Sequence, residues 1–125
     1  MNIQDAVKIP YELYEEAFLT GSYYICNPPV MNTDIDFVIY TEEKYNLHVH
    51  LVNTEDFKST SPDEGYGENY RPITTYRKGN FNLIVTDDSS FFDKFKIATE
   101  VAKKLNLKEK EQRVALFQYI VDGIL

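Results

Sequence analysis

Cysteine is nearly absent from this 125-residue chain: Cys26 stands alone, so no internal disulfide can form. A small buried side chain is the expected role of such a residue, and a reduced thiol fits the cytosol. Tryptophan is missing altogether, which excludes nothing. No apolar run approaches the roughly 20 residues of a membrane span, and the N-terminus lacks the basic, then apolar pattern of a signal peptide. These absences predict a soluble, cytoplasmic protein.

Positive charge is also scarce. Thirteen Lys and Arg residues against 20 Asp and Glu give a net charge of −7. That balance excludes a general electrostatic attraction to nucleic acid or to an anionic membrane, so any such contact would need a local basic patch. One basic cluster lies near the end of the chain, and its simplest interpretation is a solvated helix face. It consists of Lys103, Lys104, Lys108, Lys110 and Arg113.

The rest of the composition is that of a folded globule. Hydrophobic residues make up 43% of the chain and include ten Tyr and eight Phe, which argues against disorder. A chain of this length suits one domain with one core. We therefore predict a single domain over residues 1–125 that ends in a helical pair over residues 90–122.

The N-terminal part of the chain favours helices. Pro10 can begin a helix that ends before Gly21. Periodicity leaves open whether residues 17–20 finish that helix or form a short strand. Residues 22–26 favour a second short helix, whose N-terminus would offer free N–H groups to an anion.

Strand patterns and turn residues organise the middle of the chain. The predicted strands cover residues 35–41, 47–53, 73–77 and 81–86. The last two form a hairpin around Lys78-Gly79-Asn80. Residues 58–72 are polar and predict a long loop, either mobile or facing a substrate. In the helical pair that follows, the pairs Ser90 with Asp93 and Asn106 with Glu109 are typical of capped helix starts.

The most informative pattern is Gly21-Ser22, an eleven-residue spacer and then Asp34-Ile35-Asp36. Side chains alternate along a strand, so Asp34 and Asp36 point to the same face, about 6–7 Å apart, while Ile35 points into the core. Two carboxylates at that separation suit Mg²⁺ or Mn²⁺, which combine protein carboxylates with phosphate oxygens of a substrate. The pattern therefore predicts phosphoryl-transfer chemistry.

These residues resemble the motif of the DNA polymerase β-like nucleotidyltransferase superfamily, in which Gly-Ser, a short spacer and Asp-hydrophobic-Asp follow one another. The chain is also similar to small nucleotidyltransferase-like proteins of tailed phages, through residues 82–86 (NLIVT), 105–107 (LNL) and 113–117 (RVALF). The resemblance implies a minimal nucleotidyltransferase fold of α/β (α+β) class. Such a fold has a mixed sheet of four to five strands with helices packed on one side. For a phage protein, the compartment would be the host cytoplasm.

The resemblance also implies roles for individual residues. Gly21 and Ser22 would bind a nucleoside triphosphate, and Asp34 and Asp36 would be the catalytic carboxylates that hold Mg²⁺ or Mn²⁺. A third acid on a neighbouring strand completes the site in the superfamily, and Asn82 aligns with it here. An amide oxygen can ligate a cation but brings no charge, so two metal ions would be neutralised by two carboxylates instead of three.

Other residues near these motifs are weaker candidates. Asp87 or Asp88 could replace the missing acid if the chain turns back, although capping or solvation is the more common role of such residues. His48 and His50 share a face of the predicted strand 47–53, where they could bind zinc or supply a general base. No third or fourth zinc ligand of suitable spacing is evident, and a solvated strand face is the simpler interpretation.

Two functions follow from these observations. The first is metal-dependent transfer of a nucleoside monophosphate from a triphosphate to an acceptor, which could be a protein, a nucleic acid or a small molecule. Arg71, Arg77 and Lys78 are the candidate cations for the triphosphate and its pyrophosphate product. The alternative, motivated by Asn82 and the acidic charge, is a catalytically degenerate phage-type module that binds a host protein. In either case a partner or a second copy in a homo-oligomer could complete the nucleotide pocket.

Overall fold

The computed structural model describes residues 1–31, 33–60 and 71–123. Its five strands form one sheet in the order β1-β2-β5-β4-β3. The strands are Glu16–Thr20 (β1), Ile35–Tyr40 (β2), Lys58–Thr60 (β3), Thr74–Lys78 (β4) and Phe81–Thr86 (β5). β2 and β5 are parallel, and all other neighbouring pairs are antiparallel. The predicted α+β class and mixed sheet are thus confirmed.

In the described part of the chain, five helices and two short helical turns pack on this sheet. The helices are Ile3–Ala6 (α1), Gly21–Ile25 (α2), Lys44–Val49 (α3), Ser89–Lys104 (α4) and Lys110–Ile120 (α5). A 3-10 turn covers Tyr11–Leu13, and a π-helical turn over His50–Thr54 continues α3. None of the helices in the described part of the chain is long and apolar enough to cross a membrane.

The sheet is covered on both faces. On one face, Val38 of β2 and Ile84 of β5 pack against Phe95 of α4 and Phe117 of α5. The opposite face carries a second cluster, in which strand residues such as Phe37 and Leu83 meet Ile3 of α1 and Leu47 of α3. The long helices α4 and α5 therefore lie together on one face, as predicted. The prediction that all helices pack on one side is wrong, because α1 and α3 cover the opposite face. Successive residues of β2 are buried without alternation, which is typical of a strand covered on both faces.

Residues 17–20, for which the sequence leaves both helix and strand open, belong to strand β1. Pro10 begins a 3-10 turn rather than a longer helix, and the chain is already extended at Tyr14. Phe18 then packs its ring against Phe92 and Phe95 of α4, with centroids 5.0 and 6.1 Å apart. This tertiary packing overrides the helical spacing of the apolar residues.

The predicted strand over residues 47–53 is wrong, because this segment is α3 and its π-helical turn. Leu47 and Leu51 are both fully buried, whereas Val49 lies at the surface. A four-residue interval between buried positions is the helical period, and it coincides with an alternating pattern over so short a window. The predicted loop over residues 58–72 is partly corrected too: β3 occupies residues 58–60, and residues 61–70 lie outside the described residues.

Two predicted helix caps are also replaced. Asp88 caps α4 by accepting a hydrogen bond from the Phe91 amide at 2.9 Å, so Ser90 lies inside the helix. Asn106 adopts φ +51° and bonds to both backbone groups of Asn27, at 2.9 and 3.1 Å. The hairpin of β4 and β5 forms as predicted. The acid-bearing β2 thus lies directly beside β5 in the sheet.

Candidate functional site

Polar residues occupy one line of register across the whole sheet. Thr20 pairs with Asp36, Asp36 with Asn82, Asn82 with Arg77, and Arg77 with Lys58. Residues paired in register point to the same face of a sheet, so this polar row lies on the face that carries α4. The fold therefore brings Asn82 directly beside Asp36, although the two are far apart in the sequence.

Asp34, which immediately precedes β2, forms an ion pair with Arg77. The two guanidinium nitrogens Nη1 and Nη2 donate to the two carboxylate oxygens at 3.1 and 2.7 Å. The Asp34 side chain is 46% exposed and the Arg77 side chain is 37% exposed. Water therefore screens the pair considerably. The hydrogen bonds and the positive charge of Arg77 lower the pKa of Asp34 below its usual value, against a smaller rise from partial burial. Asp34 is therefore a carboxylate whose oxygens both have a cationic partner.

Asp36 lies deeper in the sheet and is covered by Gly21. Asp36 is 7% exposed to solvent, and Asn82 is 5% exposed. Gly21 has φ +76°, and a Cβ atom at that position would overlap the Oδ2 atom of Asp36. Glycine is thus required here twice, by the backbone conformation and by the close approach of the main chain to the carboxylate.

The start of α2 is held beside this carboxylate by one contact with the loop before β2 and one with the long helix α4. The Ser22 hydroxyl lies 3.2 Å from that of Thr33, in the loop between α2 and β2. Just before α2, the buried hydroxyls of Thr20 and Thr99 of α4 are 2.8 Å apart. The Gly-Ser segment and the two acids are therefore gathered at one end of the sheet.

Arg71 is not part of this group. Its guanidinium forms two hydrogen bonds with the Asp122 carboxylate after α5, at 2.9 and 2.7 Å, and the side chains are only 1% and 6% exposed. The adjacent Pro72 carbonyl accepts a hydrogen bond from Thr86, four residues beyond Asn82 on β5, or about 13 Å along the strand. The structure therefore places the Arg71 guanidinium near the far end of β5, away from Gly21, Asp34 and Asp36. Asp87 and Asp88 follow Thr86 at the same remote end.

Lys78 is also directed elsewhere. It follows Arg77 on β4, and adjacent strand residues point to opposite faces. Its ammonium group lies 5.9 Å from the centre of the Phe57 ring, and Phe57 belongs to the cluster on the other face of the sheet. Of the three predicted phosphate-binding cations, the fold thus brings only Arg77 to the acids.

The histidines lie away from the acids as well. Nδ1 of His48 is 2.7 Å from the hydroxyl of Tyr76. Tyr76 belongs to the core cluster on the face of the sheet opposite Asp36, and burial there raises its pKa. Nε2 of His50 donates to the Lys8 carbonyl at 2.6 Å. The two residues stand on a helix and its π-helical continuation rather than on a strand, and each serves a separate structural contact.

The two acids and Asn82 offer few charged ligands to a metal ion. Within residues 1–31, 33–60 and 71–123, no cluster of three or more His, Cys, Asp or Glu side chains could hold a metal ion. The candidate ligands are one carboxylate paired with Arg77, one buried carboxylate and the neutral Asn82. Together with Arg77 they carry a net charge of one negative unit, whereas affinity for hard cations rises with the number of charged ligands.

The Asp34 to Arg77 pair was not predicted from the sequence, although both residues were candidates. A usable signal existed in the predicted hairpin. If Asn82 on the second arm lies beside Asp36, the residue opposite Asn82 on the first arm faces the same site. A turn over Gly79-Asn80 makes that residue Arg77, and it excludes Lys78.

No protein-family model matches this chain, and no curated protein matches it. Among solved structures, the chain is similar to the crystal structure of conserved protein GrpB from Enterococcus faecalis. The similarity covers 90% of this chain and 81% of that one, with 14% sequence identity and a TM-score of 0.48. A likeness at this level carries no argument about activity, cofactors or partners.

Proposed function

We propose that residues 1–125 form one nucleotidyltransferase-like domain in which Arg77 takes the place of the catalytic cations. In this proposal the protein acts by binding a protein partner and does not catalyse metal-dependent nucleotidyl transfer. The observation that carries the proposal is the bidentate ion pair between Arg77 and Asp34. It neutralises one of the two carboxylates that a metal ion would need.

The charge of the site supports this proposal. Nucleotidyl transfer by the superfamily mechanism relies on metal ions that stabilise the charge moving to the pyrophosphate. With Asn82 in the third position and Arg77 on Asp34, the site has lost most of the negative charge that would attract such ions. The Arg77 guanidinium, which belongs to the protein itself and is always charged, provides the compensating positive charge in place of a bound metal ion.

The packing around Asp36 supports the proposal as well. Both Asp36 and Asn82 are more than nine-tenths buried, and the main chain of Gly21 closes over the carboxylate. A catalytic carboxylate must present an oxygen to a metal ion that is shared with the substrate. In the described conformation, Asp36 instead joins the packing between α2 and the sheet.

Nucleotidyl transfer remains the second candidate function, favoured by the position of Gly21 and Ser22. Asp34 immediately precedes β2, Asp36 is the second residue of that strand, and Gly21 adjoins Asp36. A bound Mg²⁺ would supply charge stabilisation at the phosphates. For this chemistry Arg77 would leave Asp34 and contact a phosphate, and α2 would move to uncover Asp36.

Calorimetric titration with Mn²⁺ and a labelled nucleotidyl-transfer assay separate the two functions. We expect no saturable Mn²⁺ binding and no Mg²⁺-dependent transfer by the natural protein. Arg77→Met should gain measurable Mn²⁺ affinity because Asp34 is released. The matched control is Lys96→Met, which removes one cation from the exposed ion pair of Lys96 with Glu16.

The opposite results have clear meanings. Mg²⁺-dependent transfer that is lost in Asp36→Asn would refute the proposal and establish the second candidate. Thermal stabilisation by a nucleoside triphosphate with Mg²⁺ would point the same way, since a ligand that binds the folded state raises its stability. Equal Mn²⁺ affinity in Arg77→Met and Lys96→Met would show that Arg77 does not occupy the cation position.

A further inference from the structure

Two tyrosines are unusually exposed at the end of the sheet remote from Asp36. Tyr11 and Tyr45 are each 77% exposed, more than any other aromatic residue in the described part of the chain. Tyr11 belongs to the 3-10 turn and stacks on Tyr14 with ring centroids 6.2 Å apart. Tyr45 lies in the first turn of α3. Exposed tyrosines of this kind offer a large contact area at a low cost in side-chain entropy, and tyrosine is enriched among residues that dominate protein interfaces.

Thr41 fixes the two tyrosine-bearing segments against each other. Its hydroxyl donates to the Leu13 carbonyl at 2.7 Å and accepts from the Glu43 amide at 2.8 Å. The Glu42 amide in turn donates to the Glu15 carboxylate at 2.9 Å. These hydrogen bonds join the 3-10 turn to the start of α3, so the segments that carry Tyr11 and Tyr45 are held next to each other.

The two segments that carry these tyrosines are rich in negative charge. Residues 11–15 and 40–49 contain four glutamates against one lysine. The glutamates are Glu12, Glu15, Glu42 and Glu43. Nearby, the Tyr40 hydroxyl donates to the Glu42 carboxylate at 3.4 Å, and burial together with the charges of Glu42, Glu15 and Asp87 raises the pKa of Tyr40. We refer to Tyr11, Tyr45 and these four glutamates as the tyrosine surface.

We propose that the tyrosine surface binds a basic segment of a protein partner. This inference rests on the proposed function, in which the protein acts by binding, and it assigns that binding to a place and a chemistry. Arginine or lysine side chains would stack on the exposed rings and pair with the surrounding carboxylates. Charge complementarity of this kind speeds association and excludes acidic partners.

The test measures binding of a fluorescent peptide of repeating Arg-Gly-Ser at low salt by anisotropy. Glu42→Gln with Glu43→Gln keeps the side-chain shape and removes two charges, and we expect about a tenfold loss of affinity. Glu109→Gln with Glu111→Gln removes the same charge from the start of α5 and should change affinity by less than about twofold. Equal losses in the two variants would mean attraction to net charge alone, and the proposal would fail.

The tyrosines need a separate comparison. Tyr11→Ser with Tyr45→Ser should also weaken the peptide about tenfold, whereas Tyr119→Ser on α5 should not. Tyr119 is a suitable control because its ring is also more than half exposed. Full affinity in the folded double variant would remove the tyrosines from the interface. If that variant does not fold, amide chemical shifts of the natural protein with the peptide decide instead, and perturbation outside residues 11–15 and 40–49 would overturn the proposal.

A second copy of this chain is the rival occupant, since the basic cluster on α4, α5 and the loop between them could meet the tyrosine surface head to tail. Sedimentation equilibrium of the natural protein decides this point. Association that is abolished both by Glu42→Gln with Glu43→Gln and by Lys104→Gln with Lys108→Gln would replace the basic partner with self-assembly. We expect a monomer.

The transfer assay keeps this inference separate from the proposed function. Transfer activity together with peptide binding at the tyrosine surface would refute the proposed function and leave the surface established. No transfer activity together with diffuse peptide binding would refute the surface alone.

Discussion

Arg77 reaches across β5 to hold both oxygens of Asp34. The two residues belong to segments on either side of that strand, and the start of β5 lies between them. The Ile35 amide also donates to the Asn80 carbonyl of the hairpin turn at 2.8 Å. The beginning of β2 is therefore bound to the hairpin through one side-chain contact and one main-chain contact.

The first prediction concerns the pH dependence of this contact. Arg77 holds the pKa of Asp34 below its unfolded value, so the pair stabilises the fold above about pH 4 and this contribution is lost as the pH falls through the folded pKa. Asp34→Asn should cost about 1 kcal/mol or less at neutral pH because the pair is partly exposed. Urea unfolding across the acid range should show the two proteins converging. A difference that stays constant with pH would mean that the ion pair is not its source.

The second prediction concerns the close approach of Gly21 to Asp36. Gly21→Ala introduces both an unfavourable φ and an overlap with a buried carboxylate, and it should lower the free energy of unfolding by about 2–4 kcal/mol. Gly79→Ala is the matched control, because Gly79 has φ +60° but nothing within 4 Å of the added Cβ. It should cost only about 1 kcal/mol. Similar losses in the two variants would show that the overlap is relieved by a small movement of α2.

The third prediction tests the structural role of Arg71. Arg71→Met leaves Asp122 as a buried carboxylate without its ion pair, and we expect a loss of about 3–5 kcal/mol in unfolding experiments. Lys96→Met breaks an ion pair whose side chains are about half exposed and should cost less than about 1 kcal/mol. A loss of similar size in both would argue that Arg71 is not anchored in the core.

The fourth prediction tests Asn82. Asn82→Asp places a second carboxylate in register with Asp36, where repulsion and burial raise a carboxyl pKa. The variant should be less stable than the natural protein at neutral pH, and the deficit should shrink as acid protonates the pair. Mn²⁺ should bind more tightly to it and raise its Tm.

Asn80→Asp is the control for that charge, because Asn80 lies exposed in the hairpin turn. It should change neither stability nor Mn²⁺ affinity appreciably. An Asn82→Asp variant with unchanged Mn²⁺ affinity and an intact fold would make Asn82 an ordinary strand residue with no relation to a metal site.

The sequence was sufficient where a single strand carried the information. Asp36 and Ile35 sit on opposite faces because of the two-residue period, and the resemblance aligned Asn82 with the neighbouring strand. The same reasoning failed over residues 47–53, where Leu47 and Leu51 satisfy both the helical and the strand period. In such a short segment, burial against α1 and the sheet decides the conformation, and that burial is a property of the tertiary structure.

The destinations of charged side chains were the least predictable part of the site. Arg71 and Arg77 look alike in the sequence, yet one is buried with Asp122 and the other is paired with Asp34. The partner of Arg71 is Asp122, which lies 51 residues further along the chain, after α5. No local sequence pattern therefore reveals this pair. The faces of neighbouring residues on β4, by contrast, follow from alternation, which separates Arg77 from Lys78.

The parallel pairing of β2 with β5 has a consequence for how the chain folds. Antiparallel β4 and β5 are joined by a tight turn and can meet early, whereas β2 must wait for the crossover that contains α3, β3 and β4. Pairings between segments distant in the chain form slowly because loop-closure entropy opposes them. We therefore expect the polar row to be among the last features to assemble. During that delay both parallel strands present unpaired edges, and this interval is when newly made chains are most vulnerable to aggregation.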